Sequence, residues 1–153
     1  MAAQSAGLLV HRGTAEVFLV HPGGPFWARK DLGAWSIPKG EHAPDEDPLA
    51  AARREFVEET GQPAPDGPVT DLGEVRQRGG KVVRAYAVVG DVDATAVESN
   101  TFEIEWPPRS GRRRAFPEVD RGEWFTLEEA AAKINPAQAE FLVRLVQAYP
   151  PSE

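Results

Sequence analysis

The chain has no cysteine, one methionine and three histidines among its 153 residues. The first absence excludes disulfides, thiol nucleophiles and cysteine-ligated zinc, and it accords with a reducing compartment. The N-terminus carries neither a basic stretch nor a long apolar run, so no secretion signal and no membrane span is expected. The expectation is a soluble cytoplasmic protein. Positive charge is in deficit, with 17 Lys and Arg against 24 Asp and Glu, a formal net charge of -7. That argues against general nucleic-acid binding, and an anionic ligand would have to be drawn by local cations or a metal rather than by the overall field. No repeat, low-complexity tract or linker interrupts the chain, and its length suits one domain over residues 1–153. The oligomeric state is open, a homodimer included.

What is present is concentrated in residues 40–61, GEHAPDEDPLAAARREFVEETG. Asp47 is a good N-cap, Pro48 fits the first helical position, and Gly61 followed by Pro63 ends the segment, which predicts a helix over Pro48–Thr60. Asp45, Glu46 and Asp47 suit the positive end of its dipole. At about 100° per residue from Leu49, Phe56 lies at about 340° and Thr60 at about 20°, whereas Glu58, Glu55 and Glu59 lie at about 180°, 240° and 280°. The expectation is one core face opposed by one carboxylate face. Carboxylates at that spacing repel by a few tenths of a kcal/mol per pair. A hard divalent cation such as Mg²⁺ or Mn²⁺ would offset the repulsion, because it takes oxygen ligands. A solvated acidic face is the alternative, since glutamate is a good helix former.

Gly40, Glu46, Arg54, Glu55, Glu58, Glu59 and Gly61 stand at the spacing Gx5Ex7REFxEExG, which resembles the signature of the Nudix hydrolases. At roughly 7% usage per residue type, a chance match to seven positions in one register is on the order of 10⁻⁸. Gln62 departs from the pattern, where the family usually has an apolar residue. The resemblance implies a three-layer α/β/α sandwich around a mixed β-sheet. It also implies hydrolysis of a diphosphate linkage in a nucleoside diphosphate joined to another group. Glu55, Glu58 and Glu59, with the Gly40 backbone, would hold one to three Mg²⁺ or Mn²⁺ ions, and Arg54 would pair with Glu46 or Glu58 to fix a carboxylate.

The remaining segments read as follows. Residues 5–10 and 15–21 form a strand pair joined by Arg12-Gly13-Thr14, and the unbroken apolar run at residues 17–20 predicts burial on both faces. Residues 22–33 form a loop in which Phe26 and Trp27 could stack on a nucleobase and Arg29 and Lys30 could meet phosphate, or the aromatics could simply plug the core. Trp35-Ser36-Ile37 is a short strand entering a Pro38-Lys39-Gly40 turn. If the family geometry holds, Lys39 points toward the chemistry. A WxxPKG entry resembles members acting on dinucleoside polyphosphates or diphosphoinositol polyphosphates. His42 reads as a loop histidine rather than a ligand.

Residues 69–78 and 81–89 flank Gly79-Gly80 as a β-hairpin whose apolar second strand belongs inside a sheet. Phe102, Ile104 and Trp106 alternate with Glu103 and Glu105, the period of a half-buried strand; either glutamate could be solvated or could reach the metal. Residues 107–117 read as a loop in which Arg112, Arg113 and Arg114 are surface charge or a clamp for a polyphosphate tail. By analogy with the family, Glu118 is a further acidic ligand or base. Thr126 to Glu129 make a capping box, and Asn135-Pro136 caps a last helix carrying Phe141, Leu142, Leu145 and Tyr149 at helical spacing, stopped by Pro150-Pro151. Two alternatives to hydrolysis of a nucleotide remain: a Nudix-like module that senses a nucleotide without turnover, and a diphosphoinositol polyphosphate hydrolase.

Overall fold

The computed structural model describes residues 3–13 and 16–149. Thr14 and Ala15 of the expected first turn, and the Pro150-Pro151 stop, lie outside the described residues. The central strand is β1 (Gln4–Arg12), which pairs in parallel with β5 (Val82–Val89) from Gln4 to His11. On its other edge β1 changes partner. Its end pairs with β2 (Glu16–Pro22) through His11 and Arg12, whereas its start pairs with β3 (Lys39–Glu41) through Ser5, Ala6 and Gly7. Beyond β5 lies β4 (Val69–Arg76), and beyond β2 lies β8 (Val119–Thr126), both antiparallel. One parallel pairing among antiparallel ones makes the sheet mixed.

Two separate cores lie on its two sides. Leu9, Val17 and Leu19 pack with Trp35, Phe125, Phe141 and Leu145, beneath α2 (Leu127–Lys133) and α3 (Ala139–Ala148). Leu8, Val10, Phe18 and Val20 pack with Ala51, Ala52 and Phe56 of α1 (Pro48–Thr60). Val17 to Val20 therefore alternate between cores, which is why the run shows no polar positions. The result is the expected three-layer sandwich. Among the described residues no helix is long and apolar enough to cross a membrane.

Local signals set the helix ends. Asp47 accepts a hydrogen bond from the Ala50 amide, Pro48 occupies the first turn, and Gly61 closes α1 at φ 71°, a left-handed conformation that glycine enters freely. The Thr126–Glu129 capping box is formed in both directions. Asn135 caps a short 3₁₀ turn at Pro136–Gln138 instead of α3 itself, whose first residue is Ala139.

Three expectations need correction. Trp35 and Ser36 make only isolated bridges, to Ile134 and Val20, and no strand. Lys39 and Gly40 are strand residues of β3, not a turn. Arg113–Pro117 is a strand, β7, paired with β6 (Thr101–Glu105) in a ribbon apart from the main sheet, so the loop shrinks to residues 106–112. Ribbon pairing needs backbone partners more than side-chain pattern, so two arginines, Arg113 and Arg114, are tolerated on an exposed strand. Glu105 accepts a hydrogen bond from the Arg109 amide and Glu103 faces Arg113, so both are held within the ribbon and its turn.

Phe56 is fully buried while Val57, its neighbour, is 46% exposed. We expect Phe56→Ala to lower unfolding free energy by about 3–5 kcal/mol and Val57→Ala to change it by less than about 0.5. Urea denaturation of the two variants checks the rotational setting of α1; comparable losses would refute it.

Candidate active site

The site forms where α1 crosses β3. Gly40 is the point of closest approach: a Cβ built on it would stand 2.0 Å from the Glu55 Cδ and 2.1 and 2.4 Å from its carboxylate oxygens. Only glycine lets that carboxylate sit against the strand. From the same helix, Glu59 accepts a 3.2 Å hydrogen bond from the Lys39 amide through Oε1. Outside them Arg54 spans three carboxylates. It donates to both oxygens of Glu46 at 3.1 and 3.2 Å, to Glu55 at 2.9 Å and to Glu58 at 3.4 Å. The expected partners Glu46 and Glu58 are both present, and Glu55 is added.

The picture of one core face opposed by a free carboxylate face does not hold. Ala51 and Ala52, at about 200° and 300° on the same wheel, are buried together with Phe56 and Thr60. The carboxylate side of α1 is thus pressed onto the sheet, and the Glu55 side chain is only 13% exposed against 39% for Glu58. Burial has electrostatic consequences. Removal from water pushes the Glu59 carboxyl up to about 8, against the pull of the Lys39 charge and amide, and Glu55 and Glu118 push in the same upward direction. Glu55 is likewise raised, by burial first and then by the Glu58 charge, with Arg54 opposing.

These groups line a cavity of about 440 Å³ together with Glu41, Glu118, Lys39 and Lys81. Even with Glu59 protonated, four carboxylates against two lysines make its field negative, which selects a cation before an anion can enter. Among the described residues, no three acidic or histidine side chains stand close enough to hold a metal ion as they are. Arg54 holds oxygens of Glu46, Glu55 and Glu58, and Glu59 faces Lys39. The donor chemistry nonetheless fits a hard divalent ion, because every acidic group lining the cavity is an oxygen ligand.

The sequence-predicted residues divide into two groups. Lys39, Gly40, Glu55, Glu58, Glu59 and Glu118 line the cavity, and Arg54 braces it from outside. Trp27, Arg112 and Arg114 are not on that lining. Arg114 lies over the Phe116 ring at 5.4 Å on the exposed ribbon, and Trp27 belongs to a different cavity. Sequence reasoning missed Glu41, Gln77 and Lys81. Lys81 follows the Gly79-Gly80 signal directly, so the hairpin that was visible in the sequence is also what carries this cation to the site.

The NUDIX domain family model matches residues 1–145. The chain belongs to that family. An Ap4A hydrolase from C. elegans, solved as a binary complex, superposes with a TM-score of 0.62 at 22% identity over 94% of this chain and 96% of its own. The NUDIX domain of Shewanella oneidensis NrtR, complexed with ADP ribose, gives 0.64 at 17% over 97% and 88%. A MutT/nudix family protein from Enterococcus faecalis gives 0.56 at 17% identity over 82% of this chain, which spans 44% of its length. No curated protein sequence matches the chain. These neighbours share the fold of the chain.

The raised Glu59 carboxyl gives a pH prediction for this Nudix domain. In the folded state Glu59 keeps a proton that the unfolded chain has already lost above the ordinary carboxylate range. Its contribution is therefore complete at low pH and shrinks, by at most about 1.4 kcal/mol per unit, as pH rises toward about 8. In chelator, Glu59→Gln should melt progressively higher than the parent across that window. Parallel melting curves from pH 5 to pH 8 would show that burial does not perturb this carboxyl.

Proposed function

We propose that the chain is a Mg²⁺- or Mn²⁺-dependent hydrolase of the cytoplasm that cleaves a diphosphate linkage in a nucleoside diphosphate joined to another group. Its best substrates are a dinucleoside polyphosphate or a nucleoside triphosphate. The observation that carries this reading is the Gly40–Glu55 contact inside a cavity of five carboxylates and two lysines. Glu55, Glu58 and Glu59, with the Gly40 backbone, are the residues that would hold the cation. When bound, it neutralises diphosphate charge and lowers the pKa of an attacking water.

The chain's own groups divide the remaining work. Lys39 and Lys81 meet phosphate oxygens that enter a cavity otherwise hostile to them. Arg54 fixes the rotamers of Glu46, Glu55 and Glu58, so the carboxylates are positioned before substrate arrives. Water attacks phosphorus, its proton passes to a Glu58 or Glu118 carboxylate oxygen, and the bridging P–O bond breaks with its electron pair on the leaving phosphate. Arg112, in the loop before β7, and Arg114, on the strand that runs into Glu118, would meet a long phosphate chain beyond the cavity. The Ap4A hydrolase from C. elegans supports the dinucleoside choice. NrtR holding ADP ribose supports nucleotide binding and keeps the non-catalytic sensor as the second reading. The full set of box carboxylates favours turnover over sensing.

Conversion of a dinucleoside polyphosphate into its two nucleotide products should vanish in excess chelator and return with Mg²⁺ or Mn²⁺. Glu58→Gln should lower kcat by about 10²-fold or more while leaving the fold intact by circular dichroism. Turnover that persists in chelator, or in the variant at near-full rate, contradicts the proposal. Replacing Arg112, Arg113 and Arg114 together by serine should raise KM several-fold for a tetraphosphate-bridged substrate and leave a diphosphate-linked sugar unaffected. Equal effects on the two would reduce the run to surface charge.

A further inference from the structure

A second cavity, of about 600 Å³, lies between the 22–33 loop, the β4–β5 turn and the Asn135-Pro136 turn. Trp27, Pro136 and Ala137 give it apolar walls, and Gln77, Arg78 and Asn135 give it a few polar groups. That is the composition of a small-molecule site. Gln77 also lines the carboxylate cavity, so one side chain is common to both.

The orientation of Gln77 follows from hydrogen-bond logic. Gln138 is fully buried, and the Ile37 amide donates to its Oε1 at 3.1 Å, which fixes which end of that amide is oxygen. Its Nε2 must then donate, and it does so to Ser36 Oγ and to Gln77 Oε1, both at 3.0 Å. Gln77 thus has its oxygen engaged from the core, and its own NH₂ has no acceptor among the described residues. The backbone is held as well, by a 2.7 Å bond from the Gln77 amide to the Lys81 carbonyl. A preset donor stands at the boundary between a phosphate-binding cavity and an aromatic-walled one. Trp27 is 39% exposed, and the Lys30 ammonium sits 4.9 Å from its ring centroid.

We infer that this second cavity binds the base of the nucleoside whose phosphates occupy the carboxylate cavity, with Trp27 as its stacking surface and the Gln77 NH₂ donating to an acceptor on its edge. The inference rests on the nucleotide reading above and narrows it, because a diphosphoinositol polyphosphate has no aromatic ring to stack. Gln77 and Trp27 are thereby specificity residues, and neither touches the scissile linkage.

Binding in excess Mg²⁺ separates base recognition from hydrolysis, because neither a nucleoside monophosphate nor inositol hexakisphosphate carries a diphosphate linkage to cleave. Calorimetry on the full chain uses adenosine, guanosine, cytidine and uridine monophosphates, with inositol hexakisphosphate as the polyanion without an aromatic ring. Trp27→Ala should weaken the tightest-binding monophosphate about tenfold and leave inositol hexakisphosphate unchanged, and Trp27→Phe should restore most of the loss. Gln77→Glu keeps the acceptor for Gln138 but replaces the donor, so the order of preference among the four bases should change. Monophosphate affinity unaltered by Trp27→Ala, or an unchanged base order in Gln77→Glu, overturns the inference while leaving hydrolysis standing. Conversely, base-selective binding that responds to both variants, in a protein with no turnover on any substrate, upholds this site and removes the hydrolase reading.

Discussion

The missing side chain at Gly40 is the constraint on which the site depends. A β-carbon there would collide with the Glu55 carboxylate, so any other residue would turn that carboxylate away from the strand. A turned carboxylate would disturb its 2.9 Å bond from Arg54, which also spans Glu46 and Glu58.

The contact is electrostatically unfavourable in itself, since it buries like charges. Arg54 offsets part of the repulsion, and the apolar residues of the same helix supply the rest. Ala51, Ala52 and Phe56 bury themselves against Leu8, Val10 and Phe18, and this hydrophobic attachment forces the carboxylates onto the sheet whether or not they are neutralised. A site built this way stores a preference for positive charge. It also sits where β1 exchanges β2 for β3 along one edge, so strand ends, helix and hairpin turn converge there without any long loop.

Much of this was legible in the sequence because its causes are local. The bounds of α1 follow from Asp47, Pro48 and Gly61, and the burial of residues 17–20 follows from an apolar run with no polar alternation. The carboxylates of the site were visible because their spacing on a helix is regular. What was not legible depended on distant partners. Alanine carries no clear polarity, so the burial of Ala51 and Ala52 on the acidic side of the helix left no trace. Arg113 and Arg114 read as loop because a strand's usual side chains are missing, although backbone pairing to β6 suffices. Glu41, Gln77 and Lys81 reach the cavity only through sheet register, which a single strand does not reveal.

The central claim is that the carboxylates gathered around Gly40 hold a divalent cation. Paramagnetic broadening tests it without any assumption about substrate. Substoichiometric Mn²⁺ added to ¹⁵N-labelled protein should first erase the amide signals of Lys39, Gly40, Glu55, Glu58 and Glu59, and a Glu55→Gln, Glu58→Gln double variant should keep them. Broadening centred instead on the exposed acidic turn at Asp45, Glu46 and Asp47, or spread evenly over the acidic surface, would contradict the account.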